Sequence, residues 1–494
     1  DPIGTLNAFY RTVNPGVGAQ DLEFDTASIS LDPQDRVLAT DRMRLPRMFG
    51  EPPRARKLYR SKLQALNVPK RQTTVQELLS ATAARNLNAP QVSLPQDDEA
   101  TINDVWETFL DVACVSDARS KLLEYQRDSV GLAEQAFVDW SAQVTPEKLK
   151  SVRVALEAVS ASLGDMDVGE YLFMLKSDVK PELTTKPIEN RIEPQVIVHH
   201  MRELNALYSS IYRVLVRRLL SLLRPNYHLN LLKDMVDIEA FVRAVHPFGA
   251  KGKYLENDFS KYDKSQGKFV FKLEAFVFAK LGMDPELLQK WVTGHVECSM
   301  RSLALGMSLH VLYQRKSGDS TTSFGNGLIN LLSVTYAYRG TRVIWAVFMG
   351  DDSLVFAIEV ANVAIAARTL AEVFNLGAKT FITEAPYFAS SFLLISDRSE
   401  TLAFIPDPVK RVARWSMSVA ADDPQWHERY QSARDSMQVY LNCFNVAGLE
   451  RAVSLRYPIE MGDVRGVAAA VATLLCDEKK FRGIWEQVPE ESVY

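Results

Sequence analysis

The sequence predicts an α+β fold. Strand-like and helix-periodic runs alternate between residues 254 and 405, the segments on either side are mostly helical, and no internal repeat or low-complexity tract interrupts them.

Taken in order, residues 1–46 show weak periodicity, and LPRMFGEPPRARKLYRSK (45–62) is basic and proline-containing, as an exposed connector is. Apolar residues recur at helical spacing over 75–86 and 102–143, with the loop NAPQVSLPQDDEA between them. Helical stretches follow Pro146, then the lysine-rich LKSDVKPELTTKP, then a long amphipathic run over 196–223. Within that run and just past it, Arg213, Arg217, Arg218 and Arg224 form a basic stripe, read either as a solvated helix face or as a nucleic-acid contact. His199 and His200 read as a helix-surface pair. Beyond them the pattern predicts a strand at 254–259, helices at 269–281 and 322–338, and a hairpin over 342–358. A helix at 361–374, a strand pair at 387–395 and 401–405, and a mostly helical C-terminal part from 407 complete the reading.

With 494 residues, 47% of them hydrophobic, the chain is long enough for several domain-sized units. No apolar run reaches the ~20 residues that cross a bilayer. The Asp1 start carries neither an initiator Met nor a signal-peptide pattern, so a piece of a longer protein is expected. Cys114, Cys298, Cys443 and Cys476 lie far apart without CxxC spacing, which argues against a zinc knuckle or disulfide framework and fits a reducing, cytosolic setting. The formal charge of −4 excludes a protein that is basic all over, but not a locally positive cleft.

The chemistry-bearing residues lie in three stretches. AVFMGDDSLVFAI places Gly350, Asp351 and Asp352 at the tip of an apolar hairpin. Asp and Gly are ordinary turn residues, so this triplet alone reads first as a plain turn. Adjacent carboxylates on a rigid turn are costly unless a cation sits between them, and oxygen-only ligands favour magnesium or manganese over zinc. A second carboxylate source is ENDFSKYDKSQG, where Asp258 closes a strand and Asp263 follows five residues later. If that strand lies beside the hairpin, Asp258 and Asp351 can bracket two divalent ions about 3.5–4 Å apart. Between these stretches lies KSGDSTTSFGN. Ser317 and Gly318 begin a small-residue loop suited to close approach, and Thr322 enters a helix whose first turn carries Asn326. One such loop alone is an ordinary helix entry. Set beside the aspartates, Asp263 accepting from and Asn326 donating to a 2′-hydroxyl would select ribonucleotides.

DFSKYDKSQ, SGDSTTSFGN and MGDDS, in this order, resemble motifs A, B and C (the last the GDD motif) of viral RNA-directed RNA polymerases in the alphavirus-like superfamily, on the tobamovirus and bromovirus side. LKSDVKPELTTKP is similar to motif F, ARNLNAP to a segment before the fingers, and LGAKTF, YFASSF and PDPVKR to motif D, motif E and the start of the thumb.

The resemblance implies a right-handed polymerase hand. Its parts would be an N-terminal extension (1–90), fingers (91–253) with an insertion (269–315), a palm of antiparallel sheet and flanking helices (254–268 and 316–406), and a helical thumb (407–494). It implies copying of viral RNA from ribonucleoside triphosphates by two-metal nucleotidyl transfer with release of pyrophosphate, in genome replication and transcription. Asp258 and Asp351 would be the principal ligands of two Mg²⁺ or Mn²⁺ ions, with Asp352 assisting. Asp263 and Asn326 would read the ribose, and Ser317, Gly318 and Thr322 would hold nucleotide and template. Lys176 and Lys180, with Arg191 as a further match, would contact the triphosphate, and Lys379 would act as general acid on the pyrophosphate. The implied partners are template and nascent RNA, capping and helicase replicase proteins, and a membrane-bound replication complex in the host cytoplasm. A reverse transcriptase or DNA polymerase, an inactive RNA-binding scaffold and a two-metal phosphatase are the competing readings. Asp263 with Asn326, the complete carboxylate set and the scattered histidines argue against them in turn.

Overall fold

Alternate residues of the hairpin strands face opposite ways, and both faces are apolar. Trp345 and Val347 of strand Arg342–Met349, and Leu354 and Phe356 of strand Asp352–Glu359, enter one buried cluster, while Ala346, Phe348, Val355 and Ala357 enter another. A sheet covered on both faces needs such continuous hydrophobic runs, and their burial is the main force fixing the hairpin.

The structure is a computed structural model. It describes residues 235–421 without interruption, and also 1–13, 35–37, 43–44, 58–63, 75–90, 98–131, 141–142, 145–146, 149–150, 167–176, 195–231, 424–442, 444–457 and 463–487. The chain is mixed α and β, as the sequence predicts. The hairpin is the middle of a five-stranded sheet in the order Gly377–Thr383, Lys253–Ser260, Asp352–Glu359, Arg342–Met349, Tyr227–Leu229. All its pairings are antiparallel except the last, where the Tyr227 strand runs parallel to its neighbour. Helices Thr322–Ala337 and Val363–Phe374 share the core on one face of the sheet. Helix Met235–Val245 and the three-stranded sheet of Tyr387–Phe388, Ser391–Ser396 and Thr401–Pro406 share the core on the other.

A second five-stranded sheet orders Met43–Arg44, Met307–Leu312, Glu297–Ser302, Glu170–Leu175 and Val196–His199, and packs Tyr171, Phe173, Met300 and Leu309 with Leu78 and Ala81 of helix Val75–Arg85. The C-terminal helices build a third core, in which Leu6, Phe9 and Tyr10 of the first helix, Pro2–Val13, are buried with Val467 and Val471 of helix Val464–Leu475.

Several sequence expectations need correction. The run expected over 196–223 is a strand, Val196–His199, followed by a helix, Arg202–Leu222. Its basic stripe is divided. Arg218 is buried and donates to the Tyr125 and Leu281 carbonyls at 3.1 and 2.8 Å, and Arg224 donates to the Cys114 and Asp111 carbonyls at 2.8 and 2.7 Å. Both guanidiniums brace helices, Arg218 from inside the protein and Arg224 from its surface. His200 is not on a helix surface: it is buried and stacks on Tyr171 with ring centroids 3.9 Å apart. The helical spacing over 102–143 resolves into helices Asp98–Ala113 and Ala118–Arg127, where Cys114 leaves the first helix to bridge Leu223; residues 132–140 lie outside the described ones. Strand Gly377–Thr383 carried no clear alternation in the sequence, since it is an edge strand with Lys379, Phe381 and Ile382 all exposed.

Candidate active site

The two strands that carry the sequence-predicted aspartates are neighbours. Ser353 pairs with Asn257, so one step toward the turn brings Asp352 beside Asp258. Across the other edge of the same strand, Lys379 is the register partner of Asp258. Lys379, Asp258 and Asp352 therefore form a row over three strands, all of them exposed. Asp351 sits next to this row in the two-residue turn between Met349 and Asp352. Gly350 takes the first turn position with φ of +59°, which a side chain would strain; a glycine there gives a tight hairpin turn.

Polar side chains lock this edge from beneath. Asn257 donates to Ser353 Oγ at 3.1 Å and accepts from Tyr338 and Thr380 hydroxyls at 3.1 and 2.8 Å, so one amide ties three strands together at the level of the carboxylates. Asn330, fully buried on helix Thr322–Ala337, donates to the Gly350 and Asp352 carbonyls at 3.1 and 3.0 Å. The turn is thus held to the helix as well as to the sheet.

Asp263 lies in the one-turn helix Tyr262–Ser265 just after the Asp258 strand, and Asn326 Nδ2 donates to its Oδ1 at 2.8 Å. The buried Tyr262 phenol is pushed up by burial, with Arg315 opposing and Asp351, Asp263 and Glu274 adding to the rise. Asp263 and Asp351 therefore act on one phenol, which itself donates to the Asn326 backbone carbonyl at 2.8 Å. Behind the pair, Gln266 Nε2 donates to Asn326 Oδ1 at 2.9 Å and Arg315 Nε donates to Gln266 Oε1 at 2.9 Å. Arg315 also makes a two-pronged contact with Glu274, at 3.0 and 2.7 Å, fully inside the protein. Burial pushes the Glu274 carboxyl up and Arg315 pulls it back. Gly325 lets the helix pass this pair: a Cβ there would lie 2.2 Å from Glu274 Oε1.

The loop entering that helix is docked on the second sheet. Ser317 Oγ donates to the Val196 carbonyl and accepts from the Val198 N–H, both at 3.2 Å, and the Gly318 N–H donates to the Val198 carbonyl at 2.7 Å. Thr322 Oγ1 donates to the Lys316 carbonyl. These three residues lie on the path into Asn326 with their polar atoms engaged by backbone. Lys176 is exposed at the end of strand Glu170–Leu175, its Nζ 3.4 Å from Gln195 Oε1; Lys180 and Arg191 lie outside the described residues.

Among the described residues, no three His, Cys, Asp or Glu side chains converge closely enough to form a metal cage. The donor chemistry at the edge still fits magnesium or manganese: three surface carboxylates, all-oxygen, with no His or Cys among them. Magnesium is commonly held by one or two carboxylates with substrate phosphates and water completing its shell, which needs no closed protein cage.

A family model described as RNA dependent RNA polymerase matches residues 33–484. The chain belongs to that family. Within it, the replicase large subunit of Sunn-hemp mosaic virus is 28% identical over 493 residues, which cover 98% of this chain and 29% of that protein. The replicase large subunit of Tobamovirus Ob is 28% identical over 461 residues (91% and 27%), and the replicase polyprotein 1ab of Grapevine leafroll-associated virus 3 is 28% identical over 395 residues (80% and 14%). The resemblance to alphavirus-like polymerases is borne out. This polymerase-family chain spans less than a third of the length of these relatives.

Sequence reasoning about the polymerase motifs missed the residues that support them. Asn257, Gln266, Glu274, Arg315 and Asn330 carry no periodicity signal; for Asn257, Glu274 and Asn330 a polar residue inside a strand or helix was the available clue, while Gln266 and Arg315 lie outside regular elements and offered none. It also missed a buried cluster beneath the loop. Asp319 accepts from His295 Nε2 at 2.9 Å and lies 3.6 Å from His200 Nδ1, and Lys316, almost fully buried, donates to Cys298 Sγ at 2.9 Å and to the Tyr313 carbonyl at 2.7 Å. Burial alone would raise the Asp319 carboxyl, but the two imidazoles hold it well below the usual range. The cluster anchors the base of the loop that leads to Asn326.

Proposed function

We propose that the chain is the RNA-synthesising portion of a replicase, an RNA-templated RNA polymerase using ribonucleoside triphosphates. The observation that carries this reading is the row Lys379–Asp258–Asp352 with Asp351 at its end, beside an Asp263–Asn326 pair already in hydrogen-bond contact. Asp258 and Asp351 would hold two divalent ions, with Asp352 assisting. Such ions supply charge neutralisation at the triphosphate and a lowered pKa for the attacking 3′-hydroxyl.

The chain's own residues do the positioning. Asp263 accepts from the ribose 2′-OH while Asn326 donates to its oxygen, so a ribonucleotide makes two contacts that a deoxyribonucleotide lacks. Lys379 Nζ, aligned with Asp258, donates a proton to the departing pyrophosphate oxygen. Lys176, Lys180 and Arg191 attract the triphosphate, and the Ser317–Thr322 loop rests under nucleotide and template. The hand follows: residues 254–268 and 316–406 are palm, 91–253 and 269–315 fingers, and 407–494 thumb, with the 1–90 extension joined to the thumb through its first helix. The deoxyribonucleotide reading is disfavoured because a sugar without a 2′-hydroxyl makes neither of the two contacts that the Asp263–Asn326 pair offers. In infected cells the chain would work with capping and helicase replicase parts, in genome replication and transcription, at cytoplasmic membrane-associated complexes. Among the described residues no helix is long and apolar enough to cross a membrane, so that association would run through partners.

Primer extension on an RNA template of known sequence tests this reading. With one ribonucleotide omitted, extension halts one position before the template base that specifies it. Addition that ignores the template sequence would reject the proposal.

A further inference from the structure

Asn326 can select a sugar only if its amide faces the right way round, and an asparagine amide is nearly symmetric in shape. Asp263, an acceptor in front, and the hydrogen-bond chain behind it break that symmetry together. An arginine guanidinium has donors and no acceptor. Arg315 is fixed by its two-pronged contact to buried Glu274, so the atom it meets on Gln266 must be the carbonyl oxygen, at 2.9 Å. Gln266 is fully buried, and its remaining amide nitrogen then meets Asn326 at 2.9 Å, which must present its oxygen in return. The Asn326 nitrogen is left facing Asp263 at 2.8 Å. Every link has one sense of donation, running from Arg315 through two amides to a carboxylate.

We propose that Gln266, oriented by Arg315 and Glu274, is a specificity-positioning residue that fixes the Asn326 amide with its N–H toward the sugar. This rests on the sugar-reading role given above to Asp263 and Asn326. The site then offers the incoming sugar one acceptor, Asp263, and one donor, Asn326. A hydroxyl is both donor and acceptor and satisfies the two together. A 2′-hydrogen satisfies neither. Gln266 need not touch the nucleotide, because it acts by determining which end of its neighbour does.

A single substitution disturbs this polarity. In Gln266→Glu the new carboxylate accepts from Arg315 on one side and competes with Asp263 for the Asn326 nitrogen on the other, so the amide is drawn away from its sugar-facing orientation. The site gains acceptor character toward the sugar, which suits a 2′-amino group with its two N–H donors better than a hydroxyl.

The experiment measures kcat/KM for 2′-hydroxyl, 2′-amino and 2′-deoxy nucleoside triphosphates on primed RNA template with magnesium, using the full chain, Gln266→Glu and the uncharged, similar-sized Gln266→Met. In Gln266→Glu the hydroxyl-over-deoxy ratio is expected to fall about tenfold or more, and the amino-over-hydroxyl ratio to rise. In Gln266→Met, which removes the donor that holds the Asn326 oxygen and leaves Asp263 alone to orient the amide, the first ratio falls and the second stays near that of the unsubstituted chain. A role confined to folding lowers all three substrates by one common factor and leaves both ratios unchanged; that result would overturn the proposal. Loss of a cooperative thermal transition in both variants would assign Gln266 to the fold and overturn it too. An unsubstituted chain with no magnesium-dependent incorporation rejects the polymerase reading itself. One that selects ribonucleotides equally well with and without Gln266 rejects the orienting chain alone.

Discussion

Asp351→Asn is expected to lower kcat for ribonucleotide incorporation by about 10³-fold or more and to leave the fold intact. The substitution keeps the side chain's shape and removes its charge from the end of the carboxylate row. The fold loses nothing by this, because Asp351 is exposed in a turn whose geometry is set by Gly350 and whose position is set by Asn330. An exposed substitution away from packed contacts stays within about 0.5 kcal/mol, and relief of repulsion with the adjacent Asp352 and neighbouring Asp258 moves stability upward if at all. Steady-state incorporation on primed RNA, with guanidinium unfolding of the same preparation, separates the two effects. Unchanged kcat would remove Asp351 from the reaction, and a collapsed unfolding midpoint would make it structural.

Glu274→Gln carries the largest expected loss of stability, about 3–5 kcal/mol. Glu274 and Arg315 are both buried, and the neutral amide leaves a guanidinium charge without its counter-ion in a low-dielectric interior. The contrast is Arg451 with Glu384, which meet at 2.8 Å but are 73% and 77% exposed. Breaking that pair by Glu384→Gln costs no more than about 1 kcal/mol, because water screens and replaces the contact. Replacing the buried pair together by Glu274→Leu and Arg315→Met recovers much of the loss. It does not restore the donor that orients Gln266, so a folded double variant still loses sugar selectivity. Guanidinium midpoints of the three variants read the stability terms. Equal losses for the buried and exposed single variants would contradict this account.

How much was legible in the sequence depended on the kind of signal. The hairpin, the Asp258 strand and the Thr322 helix were readable because their short apolar runs, rich in Val, Ile, Leu and aromatic residues, are bounded by turn residues and differ in length as strands and helices do. Asp258, Asp263, Asn326 and Asp351 were readable because several charged or polar residues sat where a plain fold has no use for them. Lys379 came only through the family resemblance. Its strand is an edge strand with exposed apolar residues, and only pairing with Lys253–Ser260 reveals that Lys379 lies opposite Asp258. The division of 196–223 into strand and helix was illegible for a related reason. Val196 and Val198 satisfy the helical period of the next segment as well as the strand period of their own, and only pairing with Glu170–Leu175 decides between them. The supporting residues Gln266, Arg315 and Asn330 act through partners 60, 49 and 20 residues away, separations at which no local pattern exists.

The central claim is that the Asp258–Asp351–Asp352 edge is where divalent metal is held for nucleotide transfer. The most direct measurement is Mn²⁺ binding followed by electron paramagnetic resonance. It would compare the unsubstituted chain with Asp258→Asn/Asp351→Asn, each with primed RNA and a non-hydrolysable ribonucleoside triphosphate. The account predicts protein-dependent Mn²⁺ binding beyond that of RNA and nucleotide alone, lost in the double variant while its unfolding midpoint is kept. Equal Mn²⁺ binding by the two folded proteins would contradict it.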